Sequence, residues 1–243
     1  MNVVYLIGND SKIMNDDYPF FLTEVEHKTI LETQIDKIAS CEGINSILCI
    51  RKELIKKFNL DFMIHELLPG AKVVEVNGET KGALCTTLLA SHYIDNDEEL
   101  LLLAINDFID CKYENVIDYF RKNHADAGVV SFQSIHPRYS YVRLDETLNP
   151  VEFCEKKTIS KNALASFYYF KEGKDLVEVA KEVIRKDNPV NNMFYLSMAY
   201  NELILLQKNI VVYQISNKLF HPLKNEMELA RYITEYKNLE LFK

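Results

Sequence analysis

The chain has 243 residues, of which 48% are hydrophobic and 26% charged, so it can bury a full core and is not a disordered tail. Its length suits one α/β domain or two closely packed halves. The formal net charge is −8 and no segment concentrates lysine and arginine, which argues against a nucleic-acid partner held by phosphate neutralisation.

Strand-like and helix-like segments alternate along the chain. The predicted strands are 3–7, 46–50, 72–76, 99–107, 127–134, 165–170 and 210–215. The predicted helices are 29–40, 52–58, 82–94, 116–124, 175–186, 194–207 and 225–242. Residues 140–157 predict a hairpin with "DETLN" at its turn. The alternation predicts an α/β fold with a mostly parallel, doubly wound, Rossmann-like sheet, helices on both faces and a small β-hairpin extension.

Cysteine usage and hydropathy point to the cytoplasm. The five cysteines are odd in number and have no CxxC spacing, so we expect reduced thiols and no zinc site. The sequence shows no signal peptide, and no apolar run reaches about 18 residues, so we expect no membrane span.

The first strand predicts a phosphate-binding loop. In a doubly wound sheet, ligands bind beyond the carboxyl ends of the strands. The apolar run 3–7 leads directly into Gly8, as in a strand that enters a loop of this kind. Such loops normally carry two or three glycines and basic residues, whereas this one offers Gly8, Lys12 and little else. The loop is therefore a working phosphate cradle, an altered one or a relic.

Asp107 is the candidate magnesium ligand. It follows the most apolar predicted strand, and a hard cation is bound by one or two such carboxylates together with ligand phosphates. The alternative is an ordinary aspartate at a strand end or turn. Asp110 can share the metal role or cap the next segment.

Two further stretches have both a functional and a structural interpretation. Gly82 opens a predicted helix, whose first N–H groups can hold an anion or lie against a flat ring, or the helix start is an ordinary one. The triplet Glu155-Lys156-Lys157 can contact sugar hydroxyls and a phosphate, or it is a solvated charged turn. The segment 136–139 is a binding loop or a loop shaped by its proline.

Read together, five motifs resemble the sugar-phosphate nucleotidylyltransferase family, in the branch encoded in capsule and surface-polysaccharide clusters, which shares the GT-A type nucleotide-binding fold. "TKGALCTTLLA" (80–90) is similar to a family "TEGAACT" segment, and "LLLAINDFID" (101–110) to the strand before the metal-binding aspartate. The other three are "HPRYSYVRLDE" (136–146), similar to "HPxWSYxxLDE", "VEFCEKKTISKNALASFYYF" (151–170), similar to "VxExxEKxxIS…A…GxYYF", and "VNNMFYLSMAYNELI" (190–204), similar to "VNGEFYxxxxYNELI".

The resemblance implies a reaction and a set of site residues. The family joins a nucleoside triphosphate to a phosphorylated sugar or similar small molecule with Mg²⁺, and releases pyrophosphate. It implies that Asp107 binds the metal and that Gly82 contacts the base side of the nucleotide. The full set is catalytic Lys12, Asp107 and Lys156, nucleotide-binding Gly8, Asn9, Ser11 and Gly82, and acceptor-binding Glu155, Asn191 and Tyr195. The chain is then one domain, 1–243, with a nucleotide-binding half (1–103) and an acceptor half (104–243).

The departures from the family pattern fall near the phosphates and the acceptor. The family loop is similar to "AGxGxRF" followed by a "PKP" lysine, whereas this chain has "IGNDSKI" and Phe20. Ser166 replaces a family glycine, and "HPLKNEMEL" (221–229) replaces "LGTPEDL". No second metal carboxylate can be placed. These changes favour a weakened or non-catalytic relative that binds a partner or senses a nucleotide.

Two other functions stay open from the sequence. One is an active, magnesium-dependent nucleotidylyltransferase with a shifted substrate. The other is a GT-A glycosyltransferase that uses a nucleotide sugar, for which Asp107 and Asp110 would have to replace an Asp-x-Asp. The resemblance is compatible with self-association, and a non-catalytic relative is compatible with a complex with an active biosynthetic enzyme.

Overall fold

The structure, a computed structural model, describes residues 1–7, 19–25 and 27–240. Its strands are β1 (Asn2–Ile7), β2 (Glu24–Val25), β3 (Lys28–Thr29), β4 (Asn45–Arg51), β5 (Lys72–Val76), β6 (Leu100–Ala104), β7 (Asp107–Ile109), β8 (Ala127–Gln133), β9 (Ser140–Leu144), β10 (Pro150–Glu155), β11 (Asn162–Phe170), β12 (Ile210–Gln214) and β13 (Phe220–Pro222). Its helices are α1 (Ile30–Asp36), α2 (Lys52–Phe58), α3 (Leu60–Leu67), α4 (Ala83–Leu88), α5 (Ser91–Ile94), α6 (Tyr113–Lys122), α7 (Gly173–Arg185), α8 (Leu196–Leu205) and α9 (Glu226–Glu240).

Nine of the described strands form one sheet. Its main path is β10-β9-β11-β6-β1-β4-β5, and β8 pairs with both β11 and β12. Strands β6, β1, β4 and β5 run parallel to one another, and β12 runs parallel to β8. Strand β11 runs antiparallel to β6 and β8. The predicted α/β fold with a mostly parallel sheet is confirmed.

The sheet separates two hydrophobic cores. Along β1, Val3, Tyr5 and Ile7 contribute to one core, while Val4 and Leu6 contribute to the other. Successive side chains of a strand point to opposite faces, so an unbroken apolar strand must be covered on both sides. Helices α1 and α6 pack on the first face and α7 and α8 on the second, as predicted. Within the described residues, no helix is long and apolar enough to cross a membrane.

Local sequence signals account for several helix boundaries. Thr29 begins α1 with a capping box, because its hydroxyl accepts from the Glu32 N–H at 3.1 Å and Glu32 accepts from the Thr29 N–H at 2.6 Å. Asn59 adopts the left-handed region (φ 49°) and separates α2 from α3. The sequence predicts a helix only over 52–58, so α3 is an additional helix of the structure.

The prediction of a strand over 99–107 was wrong at its end. Strand β6 ends at Ala104, and Asp107 begins the separate strand β7, which pairs antiparallel with β13. The register sets Pro222 opposite Asp107 and Phe220 opposite Ile109. Asp107 is therefore not exposed at the end of the aliphatic strand, because the C-terminal segment covers it.

The predicted hairpin is formed by β9 and β10, which pair antiparallel. Its turn is closed by Asp145, whose carboxylate accepts from the N–H groups of Thr147 and Asn149 at 2.9 Å each. The outer edge of β10 is held by Asn201 on α8, which donates to the Phe153 carbonyl and accepts from the Phe153 N–H, both at 2.8 Å. A side-chain amide thus replaces a neighbouring strand.

We predict that Asn201→Ala lowers the free energy of unfolding by roughly 2–3 kcal/mol, since both Phe153 backbone groups lose their partner at a partly buried edge. Urea denaturation measures the change. Asn115→Ala, at an exposed position of α6, is the matched control and should change stability by less than about 0.5 kcal/mol. Equal effects of the two substitutions would contradict this role of Asn201.

Candidate functional site

A cleft of about 600 Å³ opens along one edge of the large sheet. It is lined by the carboxyl ends of the parallel strands together with residues from the second half of the chain. The residues that line this cleft are Leu6, Ile7, Arg51, Val76, Gly78, Thr80, Gly82, Ala83, Thr86, Ala104, Asn106, Asp107, Arg138, Tyr139, Ser140, Glu155, Lys156, Leu164, Ser166, Tyr168, Met193, Tyr195, Leu196 and Lys224.

The position of the cleft follows from the parallel strands. Ile7, Arg51, Val76 and Ala104 are the last residues of β1, β4, β5 and β6, and all four line it. Parallel strands end at the same edge of a sheet, and each is followed by a chain segment that leaves the edge, so a crevice forms there.

Asp107 is buried in the wall of the cleft, with 6% of its surface exposed. The Ser166 hydroxyl donates to its Oδ2. The Lys224 Nζ lies 2.8 Å from its Oδ1. An isolated buried carboxylate is costly, and these two contacts offset the cost of burying Asp107.

Ser166 reaches Asp107 through an unusual backbone conformation. Its φ is +50°, in the region that favours glycine, and the pairing of β11 with β8 shifts register between Leu164 and Tyr168. A glycine stands at this position in the family that the sequence resembles. The serine therefore adopts the glycine conformation and adds a hydroxyl that takes one oxygen of Asp107.

Glu155 is the second buried carboxylate of the cleft, with 8% of its surface exposed. It accepts hydrogen bonds from the hydroxyls of Ser140 and, at 2.8 Å, Ser197. Burial raises the pKa of Glu155, and the two hydroxyls together with the charges of Lys156 and Lys224 oppose that rise.

Lys156 follows Glu155 at the end of β10 and turns into the cleft. Its φ is +53°, and its Nζ lies 5.1 Å from the centre of the Tyr195 ring. No carboxylate of the described residues lies within ion-pair distance of this ammonium. The cation therefore rests on an aromatic face, from which it can bind an anion without first breaking an ion pair.

A close backbone contact leaves no room for a side chain at Gly82. Its φ is +109°, and a Cβ there would lie 2.4 Å from the Phe194 carbonyl oxygen. The Phe194 N–H donates to the Lys81 carbonyl at 2.7 Å, and the Leu84 N–H donates to the Phe194 carbonyl at 3.1 Å. The glycine thus joins the start of α4 to the loop that carries Tyr195.

Among the described residues, the cleft carries more positive than negative side chains. Four of these residues are basic and two are carboxylates; the basic ones are Arg51, Arg138, Lys156 and Lys224. Arg138 pairs with Glu228 at 2.5 Å and lies over the Tyr139 ring. Such a distribution, in a chain with a net charge of −8, favours a ligand that carries phosphate groups.

The structure brings together some of the predicted site residues and not others. Gly82, Asp107, Glu155, Lys156 and Tyr195 all line the cleft. Asn191 does not line it and is exposed, and Asp110 pairs with Lys37 at 3.0 Å outside it. The other predicted residues, Gly8, Asn9, Ser11 and Lys12, lie outside the described residues.

Sequence reasoning missed Lys224, Ser140 and Ser197 as parts of the site. Ser140 and Ser197 lie within two of the motifs that carry the resemblance, and Lys224 lies in the segment 221–229 that departs from it, but no spacing marks any of the three individually. The three residues acquire a role only through the carboxylates that they contact.

The described residues do not fit a magnesium ion held by Asp107. Mg²⁺ is held by one or two carboxylates whose oxygens face the ion. Here the Ser166 hydroxyl donates to the Asp107 Oδ2, and the Lys224 ammonium lies 2.8 Å from Oδ1, which accepts no hydrogen bond from the described residues. Among the residues described, no group of three or more His, Cys, Asp or Glu side chains is placed to hold a metal ion. Magnesium binding by Asp107 stays a prediction that would require Lys224 to move.

The fold is shared with known enzymes. No protein-family model and no curated protein match the chain. A nucleoside-diphosphate-sugar pyrophosphorylase from Vibrio cholerae RC9 is 18% identical with a TM-score of 0.79, and the match covers 96% of this chain and all of that one. A UDP-glucose pyrophosphorylase, solved in complex with UDP-glucose, is 14% identical with a TM-score of 0.78 over 98% of both chains. At these identities the likeness shows the fold.

We predict that Lys224→Met lowers the free energy of unfolding by roughly 1–3 kcal/mol, between the values for exposed and fully buried ion pairs. The substitution leaves the Asp107 carboxylate buried without its cation. Adding Asp107→Asn should recover much of the loss. Chemical denaturation of the single and double variants measures the coupling, with the exposed Lys218→Ala as control. Additive losses in the double variant would contradict the pairing.

We predict that Glu155 makes the free energy of unfolding depend on pH. Because burial raises its pKa in the folded protein, the folded state binds this proton more tightly than the unfolded chain does. The free energy of unfolding therefore falls as the pH rises from the ordinary glutamate range through the raised pKa. Glu155→Gln should remove this part of the pH dependence, which denaturation midpoints over a pH series measure. An unchanged slope in the variant would be the contrary result.

Proposed function

We propose that the chain is a nucleotidylyltransferase-like protein of capsule or surface-polysaccharide precursor biosynthesis, which binds a nucleotide-linked sugar or its phosphorylated precursors and has weak or no transfer activity. The observation that carries the proposal is the state of Asp107. The expected metal carboxylate lies in the cleft, but an ammonium already pairs with one of its oxygens and a hydroxyl donates to the other.

The charge and shape of the cleft support the ligand class. Lys156 and Lys224 provide cations for phosphate oxygens, and Glu155 can accept hydrogen bonds from sugar hydroxyls. Apolar walls, such as those of Leu6 and Val76, suit the flat face of a base. A fold neighbour solved with UDP-glucose supports the choice of a nucleotide-linked sugar as the ligand to test.

The amino-acid sequence of segment 8–12 supports weak transfer activity. In the reaction that the resemblance implies, a sugar phosphate attacks the α-phosphorus of a triphosphate, and the bond to the pyrophosphate leaving group breaks. Rate then depends on positive groups placed around the charge that develops. Segment 8–12 offers Lys12 as its only basic residue and adds Asp10, an acid. Loss of one such stabilising group typically costs about 2.7–4 kcal/mol of transition-state stabilisation.

An active nucleotidylyltransferase with a shifted substrate is the second candidate. It is favoured by the meeting of Asp107, Glu155 and Lys156 in one cleft, since these residues come from distant parts of the chain. The glycosyltransferase alternative loses its support, because the Asp110 carboxylate pairs with Lys37 away from the cleft and is not available beside Asp107.

We expect calorimetric titration with UDP-glucose, UTP, CTP and dTTP to detect binding of at least one of them, and assays with a panel of sugar phosphates to release no pyrophosphate above background. Lys156→Ala should weaken the binding about tenfold or more, the loss of one charge-assisted hydrogen bond. Lys161→Ala, an exposed lysine outside the cleft, should not.

Two outcomes would overturn this function. If no nucleotide ligand binds, the cleft does not serve this class of ligand. If magnesium-dependent pyrophosphate release appears and is lost in Asp107→Ala, the chain is the active enzyme of the second candidate.

A further inference from the structure

The short β7–β13 sheet brings a lysine to the candidate metal carboxylate. Pro222 is the register partner of Asp107, and the Leu223 N–H donates to the Asn106 carbonyl at 2.8 Å. The next residue, Lys224, is thereby held beside Asn106 and Asp107. Its position is fixed by backbone pairing and does not depend on the side chain alone.

Lys224 contacts groups that could serve as ligands of a cation. Its Nζ donates to the Asn106 Oδ1 at 2.8 Å and lies 2.8 Å from the Asp107 Oδ1. An amide oxygen and a carboxylate oxygen are both hard ligands of the type that magnesium prefers. The ammonium thus binds oxygens that would otherwise be available to a divalent ion.

The ammonium keeps a donor for a ligand. A lysine ammonium has three N–H bonds; one is donated to the Asn106 Oδ1, and the Asp107 Oδ1 lies at ion-pair distance without accepting a hydrogen bond. No further acceptor lies within hydrogen-bond distance in the described part of the chain. The side chain lines the cleft and is 34% exposed, so a remaining N–H can reach a ligand oxygen.

We propose that the Lys224 ammonium takes the place of a divalent cation on Asp107 and binds a phosphate oxygen of the ligand directly, so that ligand binding in this cleft does not depend on divalent metal. The identity of the ligand rests on the proposed function, whereas the exclusion of metal from Asp107 does not. A phosphate can be held by an ammonium as a point charge. Ser166 completes the arrangement because it engages the second oxygen of the carboxylate.

The metal alone provides the first test. Manganese(II), a paramagnetic substitute for magnesium, is titrated into the wild-type protein and into Asp107→Asn and is followed by electron paramagnetic resonance. The expected result is equal binding by both proteins, since Asp107 contributes no site. A site that the wild type has and Asp107→Asn lacks would overturn the proposal, whether or not any nucleotide binds.

Ligand binding provides the second test. UDP-glucose is titrated by calorimetry with EDTA and with magnesium chloride. The wild-type dissociation constant should be the same within about twofold in both buffers, and Lys224→Met should raise it about 10- to 100-fold, the range for a lost charge-assisted hydrogen bond. Lys218→Ala, an exposed lysine six residues earlier, should behave as the wild type.

The design separates the two proposals. Binding of UDP-glucose that requires magnesium, or that survives in Lys224→Met, overturns the role of Lys224 and leaves the proposed function standing. Absence of UDP-glucose binding in the wild type counts against the proposed function, and the manganese titration still decides whether Asp107 holds a metal. The double variant Lys224→Met/Asp107→Asn removes both charges of the pair. If Lys224→Met does not fold, the same UDP-glucose titration is carried out with this double variant.

Discussion

A carboxylate buried in the wall of a cleft has to be neutralised, and the way in which this is done for Asp107 determines the chemistry available there. A divalent ion, a lysine or a proton would each compensate the charge, but they leave different surfaces for a ligand. Here the compensation comes from Lys224 and the Ser166 hydroxyl. The cleft therefore presents a fixed ammonium at the position where a metal-dependent enzyme would present an exchangeable ion.

Two other charged residues of the cleft also have specific partners, and one of them has a constrained backbone. Glu155 is held by two serine hydroxyls, and Lys156 rests on an aromatic ring, at a backbone conformation that few residues adopt. Positive φ angles at Ser166 and Lys156 cost free energy, and such strain is frequently found at functional sites. Both residues line the cleft.

In the comparison with solved structures, the backbone is similar although few residues are identical. Proteins that share only 14–18% of their residues with this chain match its backbone over nearly its whole length. That is expected when apolar strands and helix faces tolerate substitution within their pattern. Polar residues of a site have no such tolerance, because their role depends on a specific atom. Similar backbones can therefore carry a metal site in one protein and a lysine–aspartate pair in another.

The sequence alone determined the alternation of strands and helices, the hairpin at Asp145 and the edge of the sheet at which the cleft opens. These features depend on periodicity and turn chemistry, which are local. Tertiary structure decided that Asp107 begins a second small sheet and meets Lys224, more than a hundred residues away along the chain. A lone lysine carries no periodic signal, so its partner becomes visible only when β13 pairs with β7. The physical reason is that charge compensation depends on distance in space, whereas sequence patterns record only distance along the chain.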